Sequence, residues 1–160
     1  MALDLIAELE GLVDAFDREG IDYAICGGIA LGILGHPRAT ADIDLLIQPD
    51  VTDRAAMVAK GCGFDIPGRK MAFGLRTKTP REVRRVSKLD PETGELMSLD
   101  LMVVAHEFVA VWASRITAEF RGRTLKVVSR DGLATMKRIA GRPQDLADLA
   151  KLEGTDDDEG

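Results

Sequence analysis

Three aspartates lie inside two short apolar segments, and this placement restricts the possible folds of the chain more than any other feature. Residues 41–47 read Ala-Asp-Ile-Asp-Leu-Leu-Ile, and residues 97–104 read Met-Ser-Leu-Asp-Leu-Met-Val-Val. Both segments are typical of buried β-strands. Aspartate is depleted in strands, and a buried carboxylate without a partner costs several kcal/mol. These aspartates therefore need a compensating positive charge.

The spacing of Asp42, Asp44 and Asp100 predicts that the three carboxylates meet. Side chains alternate between the faces of a strand, so Asp42 and Asp44 share one face while Ile43 and Leu45 lie on the other. If the two strands are neighbours, Asp100 joins the pair. Neither segment contains Lys or Arg, and carboxylates with water suit Mg²⁺ or Mn²⁺. The pattern predicts a divalent-cation site; the alternative is that the aspartates lie exposed at strand ends or on a sheet edge.

The hydrophobic periodicity predicts an α+β fold with a mixed β-sheet flanked by helices. Predicted helices cover residues 3–19, 29–34, 106–114 and 130–140, a stretch from Asp50 or Thr52 to Gly61, and a last helix that starts at Pro143. Predicted strands cover residues 21–26, 41–47, 97–104, 116–120 and 124–128, with a further hairpin within residues 70–89. Without a repeat or linker, we expect one domain over residues 1–153 and an acidic disordered tail over residues 154–160.

Length and composition exclude several classes of protein. A chain of 160 residues can bury a core without a disulfide or metal staple. No apolar run reaches the roughly 18 residues that a membrane helix needs, and the N-terminus lacks a signal-peptide pattern, so we expect no membrane association. The two cysteines, Cys26 and Cys62, give no disulfide framework or metal-ligand spacing, which favours a cytoplasmic location.

The net charge of −6 hides an uneven distribution. Residues 69–88 carry a local charge of +7, which leaves −13 for the rest of the chain. The basic residues are Arg69, Lys70, Arg76, Lys78, Arg81, Arg84, Arg85 and Lys88, against Glu82 alone. The segment is either a solvated hairpin or an electrostatic footprint for an RNA backbone or a triphosphate.

Several of these residues together resemble a known superfamily. The pair Gly27-Gly28, the run Arg38-x-Thr40-x-Asp42-Ile43-Asp44-Leu45 and the isolated Leu99-Asp100-Leu101 resemble the polymerase-β-like nucleotidyltransferases. The segment Met136-Lys137-x4-Arg142-Pro143-x-Asp145-Leu146-x-Asp148-Leu149 looks like that of minimal bacterial AbiEii-like proteins of type IV toxin–antitoxin systems. The superfamily often has serine where this chain has Gly28.

The resemblance implies transfer of a nucleoside monophosphate from an NTP to an acceptor hydroxyl, with release of pyrophosphate. It implies two Mg²⁺ or Mn²⁺ ions held by Asp42 and Asp44, with Asp100 completing the site of the ion that activates the hydroxyl. Phosphoryl-type transfer depends on positioning and charge neutralisation more than on covalent help from the protein.

The resemblance also implies a nucleotide-binding set. Gly27 and Gly28 would cradle the triphosphate through backbone N–H groups, and Thr40 belongs to the same set. Lys137 and Arg142 would offer cations to the phosphates or to the acidic cluster; the alternative is that Lys137 is solvated on a surface helix and Arg142 is solvated in the turn between two helices. Arg38 would contact a phosphate or hold the loop before the aspartates; Asp145 and Asp148 would suit the helix dipole or orient Arg142.

The acceptor and partners stay open at this stage. A toxin-like enzyme would modify a tRNA or the hydroxyl of an acceptor protein, and that acceptor would bind near residues 69–88. Such an enzyme would also have an antitoxin partner. The alternatives are a catalytically silent nucleotide-binding relative, a small-molecule transferase of the aminoglycoside-modifying type, and a structural Ca²⁺ or Mg²⁺ site.

Overall fold

A seven-stranded mixed sheet with six helices is the architecture of residues 2–73 and 81–154, which the computed structural model describes. The helices are α1 Leu5–Arg18, α2 Gly27–Ile33, α3 Thr52–Gly61, α4 Phe108–Ala113, α5 Arg130–Ala140 and α6 Pro143–Leu152. The strands are β1 Ala24–Cys26, β2 Ile43–Ile47, β3 Ile66–Phe73, β4 Arg81–Leu89, β5 Leu96–Val103, β6 Ile116–Phe120 and β7 Arg123–Val127. The predicted α+β fold class is confirmed.

The strand order places the two aspartate-bearing segments at the centre of the sheet. The order is β3-β4-β5-β2-β1-β7-β6, and hairpins form both edges. Strands β2 and β5 run parallel to each other, whereas β4 is antiparallel to β5 and β1 is antiparallel to β2. Central strands are apolar on the face that packs against the core, so a polar residue on them faces a cavity or a partner.

The core is built by the apolar face of α1 and by the inward residues of the central strands. Leu9, Leu12 and Phe16 follow helical spacing on α1, and all three are fully buried. On the strands, Leu45 and Leu101 are register partners, and both are fully buried. Their burial anchors β2 and β5, and it leaves the opposite faces of these strands for other contacts.

Several element boundaries differ from the sequence expectation. Strand β2 begins at Ile43, so Asp42 lies in the loop immediately before the strand. Helix α3 follows a short 3₁₀ turn, Pro49–Val51, and neither Asp50 nor Thr52 caps it by a side-chain hydrogen bond. The Thr52 hydroxyl donates instead to the carbonyl of Gln48 at 3.0 Å.

The C-terminal helices begin and end as the sequence predicts. The Ser129 hydroxyl accepts a hydrogen bond from the Gly132 N–H at 3.0 Å, which caps α5. Gly141 ends this helix with φ 66°, and Pro143 is the first residue of α6. This tight connection brings α6 back against α5 beside the sheet. In the described part of the chain, no helix has the length and apolar character to span a bilayer. Residues 155–160 of the predicted tail lie outside it.

Candidate active site

Asp44 and Asp100 are direct neighbours across the β2–β5 pair. They are register partners on the parallel strands, and Asp42 lies two residues before Asp44. The predicted meeting of the aspartates required β2 and β5 to be adjacent, and they are. The parallel register places Asp44 and Asp100 on one face because residues that share a register position point the same way.

A cavity of about 590 Å³ opens over this face of the sheet. Its volume lies within the range of roughly 300–1,000 Å³ that is typical of small-molecule sites. The cavity is lined by the three predicted metal ligands and by the six residues of the predicted nucleotide-binding set, namely Asp42, Asp44, Asp100, Gly27, Gly28, Arg38, Thr40, Lys137 and Arg142. Tertiary structure therefore brings together segments that lie far apart in the sequence.

Asp44 has an unsatisfied carboxylate. Within residues 2–73 and 81–154, no group donates a hydrogen bond or offers an ion pair to it. Burial, with repulsion from Asp100 and Asp42, raises the pKa of Asp44 to about 7. Burial also raises the pKa of Asp42, although Arg85 opposes this shift. At Asp44, burial and the two neighbouring acids outweigh the nearby positive charges.

Asp100, by contrast, has a protein cation as its partner. The Arg85 Nε donates to Asp100 Oδ1 at 2.8 Å, and Nη2 donates to Oδ2 at 3.0 Å. Neither aspartate segment contains a basic residue, and Arg85 lies on β4, the next strand of the sheet. Local spacing within the two segments does not reveal this partner, because the contact crosses between strands.

A buried ion-pair network supports the cavity from the side of α5 and α6. The Lys137 ammonium contacts Asp145 at 3.3 Å and Asp148 at 2.9 Å, and the three side chains are 7%, 2% and 0% exposed. Burial would raise the pKa of Asp145 and Asp148, but their basic partners outweigh it and hold both pKa values below the usual range. Opposite charges that are hydrogen-bonded in this way can remain charged inside a protein.

Arg38 and Arg142 both contact acids of this network. Arg38 donates to the two carboxylate oxygens of Asp148 at 3.1 and 2.9 Å, which ties the loop before β2 to α6. Of the two roles predicted for Arg38, this contact supports holding the loop. Arg142 Nε donates to Asp145 at 2.6 Å, so Asp145 does orient Arg142, whose side chain is 73% exposed.

Close packing around positions 27 and 28 leaves no room for a side chain at either glycine. Gly27 has φ 66°, and a Cβ there would overlap the carboxylate of Asp44. A Cβ on Gly28 would lie 2.7 Å from the hydroxyl oxygen of Thr40. Serine at the Gly28 position, as is common in the resembling superfamily, would collide with Thr40. Close approach of the turn to its neighbours therefore explains both glycines.

The cavity also has an apolar wall, which the sequence patterns did not predict. This wall is formed by Val83, Met102, Leu133, Met136 and Ala140. Alternation along β5 places Met102 on the same face as Asp100, so the pattern of the strand contained this information. The contributions of α5 depend on how the helix packs, which no local pattern indicates.

The basic segment is only partly described. The side chains of Arg69, Lys70, Arg76, Lys78 and Arg81 lie outside the part that the structure describes. Each of the other three has an acidic partner: Arg84 pairs with Asp53, Arg85 with Asp100 and Lys88 with Glu8. Arg84 and Arg85 are adjacent on a strand and point to opposite faces, so these charges do not form one continuous patch.

The residues present fit a divalent cation in their chemistry at Asp42 and Asp44. Among the described residues no side chain pairs with the Asp44 carboxylate, and both Asp42 and Asp44 line the cavity. Nevertheless, no cluster of three or more His, Cys, Asp or Glu side chains in residues 2–73 and 81–154 has the arrangement of a metal site. Because Arg85 engages both oxygens of Asp100, the third carboxylate is committed elsewhere.

Structural comparison places this architecture among known folds. No protein-family model matches the chain, and no curated protein is similar to it in sequence. A proposed nucleotidyltransferase from Thermotoga maritima superposes with a TM-score of 0.59 at 14% identity, covering 94% of this chain and 92% of that protein. The chain has the nucleotidyltransferase fold.

Two further structures with this fold are antibiotic-modifying proteins. ANT(2'')-Ia, in complex with adenylyl-2''-tobramycin, has a TM-score of 0.59 at 17% identity and covers 94% of this chain and 87% of its own length. The lincosamide antibiotic adenylyltransferase LnuA, with lincomycin bound, has a TM-score of 0.59 at 15% identity. The superposition covers 96% of this chain and 98% of LnuA. The nucleotidyltransferase fold therefore extends over nearly the whole of this chain.

Proposed function

We propose that this protein transfers a nucleoside monophosphate from an NTP to an acceptor hydroxyl and releases pyrophosphate. The observation that carries the proposal is the register pair of Asp44 and Asp100 at the floor of the cavity, with Asp42 beside it. The nucleotidyltransferase fold supports it. An inert protein gains nothing from an unpaired carboxylate on a central strand, because the carboxylate costs stability.

Asp42 and Asp44 are the residues that would hold a divalent cation, Mg²⁺ or Mn²⁺. When bound, such an ion supplies charge neutralisation for the triphosphate and for the attacking oxygen. Asp100 is the third acid, and it is next to Asp44 in register. Whether the site takes one ion or the two that the superfamily resemblance implies depends on the release of Asp100 from Arg85.

The nucleotide would lie between the acidic floor and the basic residues of α5 and the α5–α6 turn. Arg142 is 73% exposed at the rim and has donors beyond those that bond Asp145, so it is the residue best placed to contact a phosphate. Lys137 is buried in its ion pairs and contributes chiefly its positive charge. Gly27, Gly28 and Thr40 also line the cavity.

The acceptor is the finer part of the proposal. The first candidate is a toxin-like, AbiEii-type activity on a tRNA or on the hydroxyl of another protein. This acceptor would bind near residues 69–88, and the enzyme would have an antitoxin partner. The second candidate is a small molecule, which the likeness to ANT(2'')-Ia and LnuA favours. The described lining has four acids, Asp42, Asp44, Asp100 and Asp145, and four bases, Arg38, Arg85, Lys137 and Arg142. This balance offers a polycationic acceptor no net attraction.

The test is incubation with each α-labelled NTP and Mg²⁺ or Mn²⁺, in the presence of total RNA, protein or small-molecule acceptors. We expect label to enter one acceptor class and Asp44→Ala to abolish the transfer. Asp53→Ala is the matched control, because Asp53 is a 97% exposed aspartate outside the cavity, and it should retain full transfer.

The outcomes separate the alternatives. Transfer that persists in Asp44→Ala would overturn the assignment of the site. Nucleotide binding without transfer to any acceptor would identify a catalytically silent relative. Label in a small molecule would favour the second candidate, and label in RNA or protein would favour the toxin-like one.

A further inference from the structure

Arg85 and Asp100 form a two-pronged ion pair at the edge of the proposed cation site. The guanidinium uses Nε and Nη2 to bond both oxygens of Asp100 at 2.8 and 3.0 Å. A carboxylate ligates a metal ion through these same two oxygens. The guanidinium also carries a permanent positive charge that repels a cation. Arg85 and a metal ion therefore compete for the oxygens of Asp100.

The sheet holds Arg85 in this position. Arg85 on β4 is the direct cross-strand partner of Asp100 on β5. On the other side, Gly68 of β3 lies so close that a Cβ there would be 2.9 Å from the Cβ and 3.0 Å from the Cγ of Arg85. A glycine therefore makes the room that the stem of Arg85 occupies. The position of the Arg85–Asp100 pair therefore depends on the register of β4 on β5 and on the space that Gly68 leaves.

The exposure of the pair allows it to open. The Arg85 side chain is 34% exposed and that of Asp100 is 12% exposed, whereas Lys137 and its acids are nearly sealed from solvent. Water can therefore solvate the guanidinium when it leaves the carboxylate. A partly exposed ion pair is weak enough for a divalent cation to compete with it.

The two register partners, Asp44 and Asp100, differ in the hydrogen bonds that they accept. Asp44 has no donor among the described residues, and Asp100 has two donated hydrogen bonds from one side chain. The site thus presents a free carboxylate next to one that is already neutralised.

We propose that Arg85 is a positioning residue that competes with a divalent cation for Asp100. It neutralises the carboxylate while the cation is absent, and it releases both oxygens when Asp100 ligates the ion. The inference rests on the proposed function, because the cation site is the one described there. It predicts that Arg85 weakens cation binding in the protein without nucleotide.

The experiment is a Mn²⁺ titration of nucleotide-free protein at constant ionic strength, followed by electron paramagnetic resonance of the free ion. Arg85→Gln should bind Mn²⁺ roughly three- to tenfold more tightly than the wild type, the scale set by a partly exposed ion pair. Arg84→Gln is the matched control. It removes an adjacent arginine that pairs with Asp53 on the other face, and its affinity should change less than about twofold.

Two further variants distinguish competition for Asp100 from a general electrostatic effect of removing a positive charge. Arg85→Lys keeps the charge but lacks the planar fork, so it should bind Mn²⁺ more tightly than the wild type and less tightly than Arg85→Gln. In an Asp100→Asn background, Arg85→Gln should give no gain, because the oxygens for which Arg85 competes are altered. Circular dichroism of each variant checks the fold, and Arg85→Lys keeps the test available if Arg85→Gln fails to fold.

Each result decides the matter. An affinity that is unchanged or weaker in folded Arg85→Gln and Arg85→Lys overturns this inference and leaves the proposed function standing. A gain that persists in Asp100→Asn also overturns it, since it shows a general charge effect. The absence of Mn²⁺ binding in every variant overturns the cation site itself.

Discussion

Gly27 lies where the turn after β1 approaches the carboxylate of Asp44. Its φ of 66° belongs to the left-handed region, and a Cβ would overlap the Asp44 side chain. Two separate physical reasons therefore exclude other residues: backbone strain and a collision. Gly20 has nearly the same φ, 68°, and open space around it. The chain thus contains its own control for separating the two costs.

We expect Gly20→Ala to lower the free energy of unfolding by about 1 kcal/mol, the cost of a left-handed alanine. Gly27→Ala adds a collision, so it should lose about 2–4 kcal/mol. Urea unfolding measures both. In an Asp44→Ala background the difference between the two variants should shrink, because the carboxylate is gone. Equal losses for Gly20→Ala and Gly27→Ala would show that the close approach to Asp44 is unimportant.

At the scale of secondary-structure elements, the ion pairs of Lys137 join α5 to α6, and Arg38 joins the loop before β2 to the same network. Asp148 accepts from both Lys137 and Arg38, so one buried carboxylate contacts two separate parts of the chain. The network fixes the position of the loop that precedes Asp42. The floor of the cavity therefore depends on the C-terminal helices.

Lys137→Met should lower the free energy of unfolding at pH 7 by about 3–5 kcal/mol, because it removes the buried cation that Asp145 and Asp148 share and leaves each carboxylate with an arginine as its only cationic partner among the described residues. The control is the next residue. Arg138 pairs with Glu153 at side-chain exposures of 53% and 46%, and Arg138→Ala should cost less than about 1 kcal/mol. Chemical denaturation measures both variants. Similar losses would mean that burial does not strengthen the network.

The pH dependence gives an independent check on the same network. In the folded protein the pKa values of Asp145 and Asp148 lie below the ordinary value of 3.8. Their stabilisation is therefore present above that pH and is lost as the pH falls through the folded values. The difference between the wild type and Lys137→Met should narrow on acidification. A constant difference from pH 7 to pH 3 would contradict this account.

At the scale of the whole molecule, the sheet order converts distant sequence segments into one cavity. The β2 and β5 strands carry two of the acids, β4 carries Arg85, and α5 and α6 close the remaining side. A ligand that contacts several of these elements links them, so its binding should stabilise the fold as a unit.

We expect an accepted NTP with Mg²⁺ to raise the melting temperature by about 5 °C or more at a concentration near 100 times its Kd. Mg²⁺ alone should give a much smaller shift, because Arg85 holds Asp100. Differential scanning calorimetry measures both, and Asp44→Ala should abolish the nucleotide-dependent part. A full shift with Mg²⁺ and none from the nucleotide would identify a structural cation site instead.

Much of the fold follows from local patterns. The apolar spacing of α1, the cap at Ser129 and the stop at Gly141 depend on nearby residues, and the structure confirms them. The apolar run over residues 97–104 likewise predicted that Asp100 lies on a strand, and it lies on β5. Boundaries were less predictable, because Asp42 lies before β2 although the apolar run includes it. Hydrogen bonds to neighbouring strands decide where a strand begins, and they are not local.

The sequence by itself determined that three carboxylates sit in or beside apolar strands, since composition and alternation are properties of short segments. Only the tertiary structure decided which of them have partners. Arg85 reaches Asp100 through the register of β4 on β5, and Lys137 reaches Asp145 and Asp148 through the packing of α5 on α6. Register and helix packing arise from contacts between distant residues, so local spacing does not encode them. Of the three carboxylates, that of Asp44 has no hydrogen-bond or ion-pair partner within residues 2–73 and 81–154.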